Sequence, residues 1–151
     1  MAKKRNETMR VVAILLLLAY LLLLAYLLFF SSTYGRTVEM GYRYNLVPFL
    51  EIRRGIDHVD AVGYRYVVVN ILGNIAAFMP FGFLLPLASE KKMNTVKVFC
   101  YSFLLTLSAE TLQLLSRTGA FDVDDLILNT LGGILGYWCF WILIGQRRKR
   151  R

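Results

Sequence analysis

The chain has 151 residues, 57% of them from the set AVILMFWYC, only 19% charged, and a mean hydropathy of +0.51. A soluble domain of this length is nearer half apolar and about a quarter charged. Here the apolar residues gather in long uncharged runs divided by short charged ones, which excludes a disordered chain and speaks against a water-soluble globule. Cys100 and Cys139 both lie inside apolar runs, so neither a disulfide framework nor a CxxC metal site is on offer.

In chain order, four segments have the ~20 residues that a helix rising ~1.5 Å per residue needs to cross the hydrocarbon core. They are residues 11–30, 67–87, 98–115 and 126–144, and only the third carries an ionisable group, Glu110. The expected fold is an all-α integral membrane protein, a bundle of four transmembrane helices. The first segment follows Lys3, Lys4, Arg5 and Arg10 and so has the flank of a secretory signal. Its length, and the lack of a small-x-small site after Phe30, favour an uncleaved anchor. Its LLLLAYLLLLAYLL run suits a lipid-facing helix.

Basic residues set the expected orientation. The N-terminus (1–10) has four Lys/Arg, the 88–97 connection has Lys91, Lys92 and Lys97, and the tail (145–151) has five. The opposite side carries six Lys/Arg and, Glu110 aside, seven acids. Both termini are therefore expected in the cytoplasm, with residues 31–66 and 116–125 outside. The net charge of +8 is what such a topology requires, so it does not point to nucleic acid. Tyr34, Tyr42, Tyr44, Tyr64 and Tyr66 suit the headgroup layer. The short apolar segment NLVPFL (45–50) is expected as an ordinary loop packed on the helices, with an interfacial or inward-dipping course as the alternative.

Polar residues on these oriented helices collect at one depth. Asn70 and Asn74 fall in the outer half of the second helix, and Glu110 and Gln113 near the outer end of the third. Arg117 follows Glu110 by two turns. Asp122, Asp124 and Asp125 stand at the mouth of the fourth helix, with Asn129 one turn inside. The inner halves carry little that is polar beyond Ser102 and Thr106. A carboxylate in hydrocarbon costs a few kcal/mol and turns to a partner or a cavity, so Glu110 is expected to be protonated, paired with Arg117, or solvated by the amides. The asparagines and Gln113 could simply hold helices together, and Asp122 or Asp125 could simply cap a helix. Gly132 and Gly136 form a GxxxG pair, for which packing inside this bundle is preferred over homodimerisation. Pro80, with Gly82 beside it, and Pro86 are expected to kink or end the second helix.

These motifs, NLVPFL at 45–50, GNIAAFMPFGFLLP at 73–86 and LSAETLQLL followed by FDVDDLILNTLGGILG between 107 and 136, resemble the VanZ-like family. Its members are small bacterial membrane proteins named for a teicoplanin-resistance protein. The words E-x-x-Q, D-x-x-D and N-T-x-G-G, in that order, carry the resemblance, which covers residues 45–136. It places Asn45, Pro48, Asn74, Pro80, Gly82, Glu110, Gln113, Asp122, Asp125, Asn129 and Gly132 on motif positions. It implies a multi-pass protein of the bacterial plasma membrane and a link to lipoglycopeptide resistance, but it supplies no biochemical activity.

Three modes of action fit the residues. The first is a non-enzymatic resistance or envelope factor that meets membrane lipid, a lipid-linked cell-wall precursor or a lipoglycopeptide through Glu110, Asp125 and Asn129. The second is an intramembrane hydrolase or transferase of lipid headgroups. There Glu110 would act as base, and Asp122 and Asp125 are weak candidates for holding Mg²⁺ or Ca²⁺. No Ser-His-Asp or Cys-His set supports it, and the sole histidine, His58, sits between Asp57 and Asp60 in a loop, where a solvated role fits better. The third is a small transporter with a proton on Glu110. The first is carried forward, with no cofactor expected and the oligomeric state left open.

Overall fold

The computed structural model describes residues 2–30 and 42–145, with side chains there except those of 2–6, 61, 62 and 66. The side chains of Lys3, Lys4, Arg5 and Tyr66, together with Tyr34 and the basic tail at 147–151, thus lie outside the described residues. Four helices are long and apolar enough to cross a membrane, over Glu7–Phe30, Val67–Ala88, Thr95–Ser116 and Val123–Gly145. They belong to α1 (Ala2–Phe30), α4 (Tyr64–Ala88), α5 (Thr95–Ser116) and α6 (Val123–Phe140), the last continued by a π-turn over Trp141–Gly145. Both α5 and α6 start a turn earlier than hydropathy alone indicates. The reason is capping: the Asn94 side chain accepts the Lys97 N–H, and the Asp122 side chain accepts that of Asp124.

The described part of the 31–66 connection, from residue 42 on, is more structured than a plain loop. After β1 (Tyr44–Asn45) come two short helices, α2 (Leu50–Asp57) and α3 (Val59–Val62), before α4. β1 pairs in parallel with β2 (Phe121–Asp122), matching Tyr44 to Phe121 and Asn45 to Asp122. This two-residue ladder departs from an all-helical expectation, and it ties the long connection to the entrance of α6.

The helices pack around α4 and α6, the most extensive pair, with α1 against α4 and α5 against α6. Glycine makes that approach possible. A methyl group at Gly132 would overlap the carbonyl oxygen of Ile75, one at Gly136 that of Met79, and one at Gly82 that of Gly133. The GxxxG face is thus occupied by α4 of the same bundle. Neither Pro80 nor Pro86 ends α4, which runs on to Ala88. Pro80 lacks the N–H that would bond the carbonyl of Ala76, and in that loosened turn the next carbonyl, Ala77, accepts a 2.6 Å hydrogen bond from the Tyr20 hydroxyl of α1. Apart from this link and buried Ala13 and Leu24, α1 leaves most of its leucines exposed, as a helix solvated by lipid should. At the end near the described N-terminus, Val98, Tyr137 and Phe140 form an apolar cluster, and Arg10 pairs with Glu90.

Candidate functional site

The polar residues of the α5–α6 end form a knot whose chief business is holding backbone. Asp122 has extended backbone geometry (φ −126°), which frees its side chain to cap α6. Its Oδ1 accepts the Asp124 N–H at 2.8 Å and the Asn45 amide at 3.0 Å. The Asp122 N–H in turn donates to Glu110 Oε2 at 3.1 Å. Glu110 is 3% exposed, so its carboxylate is buried against the start of α6. Asn74 of α4 donates to Asp125 Oδ1. Five elements, β1, α4, α5, β2 and α6, therefore meet through Asn45, Asn74, Glu110, Asp122 and Asp125.

The other residues singled out in the sequence go elsewhere. Gln113 is buried, and its amide donates at 3.1 Å to the carbonyl of Leu28, in the last turn of α1 where carbonyls lack helical partners. Asn129 donates to Thr106 Oγ1 at 2.9 Å, an α6–α5 link below the knot. Pairing with Arg117 was one of three alternatives for the buried acid Glu110. Arg117 instead occupies the left-handed C-cap of α5 (φ 56°), which turns its guanidinium over the Tyr42 ring, 5.0 Å from the centroid. Asn70 is half-buried, and His58 is exposed with its ring on the Arg54 carbonyl. Gly82, Gly132 and Gly136 serve helix packing.

The residue the sequence reading left out of the site is Asp124, which is 2% exposed. Its carboxylate accepts the backbone N–H of Phe49 on one oxygen, and those of Glu51 (2.9 Å) and Ile52 (3.1 Å) on the other. It is the missing cap of α2, whose own N-cap residue, Phe49, has no capping side chain and sits at φ 64°. A signal was available: LEIRRGID opens without Ser, Thr, Asp or Asn before it, so its free N–H groups needed an acceptor from elsewhere.

The expectation that NLVPFL packs its side chains on the helices does not hold. Leu46, Val47 and Phe49 are 61%, 57% and 59% exposed. The segment is held through its backbone instead, by acceptors on Asn45 and Asp124.

Among the described residues, no three His, Cys, Asp or Glu side chains are grouped so as to hold a metal ion. Asp122 and Asp125 already accept N–H groups, which is the chemistry of anchoring. Burial pushes the Asp122 carboxyl above its ordinary value. The N–H groups of Asp124 and Asn45 oppose that shift, and the charges of Asp124 and Glu51 add to it. A raised folded value means the fold favours the protonated form. Stability from this group is complete below the ordinary carboxylate range and declines as pH rises through it toward the folded value. Asp122→Asn keeps an N-capping side chain and removes that titration. The variant should flatten the fall in melting temperature as pH rises above the ordinary carboxylate value of about 4, whereas Asp122→Ala should cost ~1 kcal/mol. A pH slope identical in wild type and Asp122→Asn would exclude this account.

The fold and the knot define a polytopic α-helical membrane protein with a tethered loop at one end of its bundle. The family model described as VanZ/LLP1 matches residues 17–144, and the chain belongs to that family. A curated relative, Protein VanZ of Enterococcus faecium, is 36% identical over 67 residues, 44% of this chain and 41% of that protein. The match thus spans less than half of the relative's length. No solved structure matches the chain significantly.

Proposed function

We propose that this protein is a non-enzymatic envelope factor of the bacterial plasma membrane, acting at the outer leaflet to raise tolerance to teicoplanin-type lipoglycopeptides. The observation that carries this reading is the knot of Asn45, Asn74, Glu110, Asp122, Asp124 and Asp125. It fixes the 43–57 segment over the bundle end that the basic-residue distribution assigns to the outside. Teicoplanin-type drugs act on that side, with a lipid tail in the same leaflet. The family supports the link to resistance, and lipid-linked cell-wall precursors are the other ligand class this surface would meet. The carboxylates of the knot accept N–H groups, and the reading gives them the role of anchors.

The test is the teicoplanin minimum inhibitory concentration in a susceptible Gram-positive host carrying empty vector, this protein, or Glu110→Gln at matched membrane abundance. Tolerance should rise with the protein and fall back toward the vector with Glu110→Gln. The substitution keeps an oxygen for the Asp122 N–H but removes the ionisable carboxyl. No difference between vector and wild type would refute a resistance role.

A further inference from the structure

We propose that residues 45–52 form an interfacial wedge, whose partner is the phospholipid of the leaflet at the α5–α6 end, with Leu46, Val47 and Phe49 inserted among the acyl chains. Depth is the first argument. Tyr44 and Asn45 pair with Phe121 and Asp122, the residues just before the α6 span. The Phe49, Glu51 and Ile52 N–H groups reach Asp124, the second residue inside that span. The turn therefore lies level with the first turn of a membrane-crossing helix.

Backbone satisfaction is the second argument. Irregular backbone at the edge of hydrocarbon is tolerated only where its polar groups have internal partners. From Val47 to Arg53 every N–H has one. Val47 donates to Asn45 Oδ1, Leu50 to the Val47 carbonyl and Arg53 to the Phe49 carbonyl; Phe49, Glu51 and Ile52 donate to Asp124; Pro48 has no N–H to satisfy. A turn in water has no need of so complete a set. The side chains fit the same surroundings, since three large apolar groups in four residues are more than half exposed while the N–H groups of Val47 and Phe49 are bonded internally. The charges of α2 are paired with each other, Arg53 with Asp57 at 3.5 Å and Arg54 with Glu51 at 2.5 Å, and lie on exposed side chains suited to the headgroup side.

The experiment uses full-length protein in phosphatidylcholine vesicles, in a W138F/W141F background that removes both native tryptophans. F49W and, separately, L46W are compared with R53W, using lipid brominated high on the acyl chain and, in parallel, aqueous acrylamide. Lipid bromines should quench F49W and L46W at least about twice as strongly as R53W, with acrylamide giving the reverse order. Acrylamide quenching of F49W and L46W equal to that of R53W, with little effect of bromines, would overturn the wedge. Protection from both quenchers would overturn it too, because it would mean that protein covers the turn. The second tryptophan position guards against a local disturbance at Phe49, whose left-handed backbone is the more demanding site.

Discussion

Asp124→Ala should detach the 43–57 segment and lower stability by about 3–5 kcal/mol, since each buried backbone donor left unsatisfied costs about 1–3 kcal/mol. The carboxylate is nearly inaccessible and accepts three backbone N–H groups. Alanine would leave those donors without their acceptor at a depth where water is scarce, and each lost bond to a charged group is worth ~1.5–3 kcal/mol. The sum is discounted because a released segment can recover some bonds with water. Asp124→Asn keeps one carbonyl oxygen and puts donors where the other stood, so it should fall between wild type and alanine. Two readouts separate local from global effects. Thermal unfolding in detergent reports overall stability, and limited trypsin digestion reports cleavage at Arg53 and Arg54. Faster cleavage with little change in melting temperature would confine the role of Asp124 to the segment. Unchanged cleavage in Asp124→Ala would show that other contacts hold it.

Gly82→Ala, Gly132→Ala and Gly136→Ala should each destabilise the bundle by about 3 kcal/mol, the upper part of the usual range for overpacking. In each case the new methyl group meets a carbonyl oxygen of the opposing helix. Backbone in a regular helix cannot rotate away, so α4 and α6 must separate along their length. Gly133→Ala differs in kind, because the methyl group meets the side chain of Ser102. Ser102→Gly should therefore rescue Gly133→Ala but none of the other three. Gly73→Ala has open space around it and should be neutral or gain slightly from helix propensity. Melting temperatures or membrane abundance of the five variants would check the pattern. A Gly132→Ala as stable as Gly73→Ala would contradict the described α4–α6 approach.

Much of this architecture is legible in the sequence because hydrocarbon imposes simple rules. Charges bracket the spans, and span length follows from the helical rise. Depth was informative too: Asn74 and Asp125, assigned to one level from span arithmetic alone, are hydrogen-bonded. What escaped the sequence was partnership with backbone. Gln113 serves the carbonyl of Leu28, and Asp124 serves three N–H groups more than seventy residues earlier in the chain. Neither partner has a side-chain identity that a motif could reveal. The pairing of Arg117 with Glu110, one of the alternatives, fails to form for a different reason. Spacing along a regular helix puts Arg117 above Glu110, but the helix ends there in a left-handed residue that swings the side chain toward Tyr42.

The joining of Phe49 to Asp124 also imposes an order of events during synthesis. The donor and acceptor are 75 residues apart, which at ~5–20 residues per second is a wait of roughly 4–15 s. Until α6 is made and threaded with its first turn facing the same side as β1, the 43–57 segment has no cap, no strand partner and three idle N–H groups. A chain whose last helix inserted backwards would carry Asp124 to the wrong face of the membrane and leave the segment open to proteases. The knot thus forms only once α4, α5 and α6 are in place with these ends on one side, and only such molecules present the finished surface of the 43–57 segment.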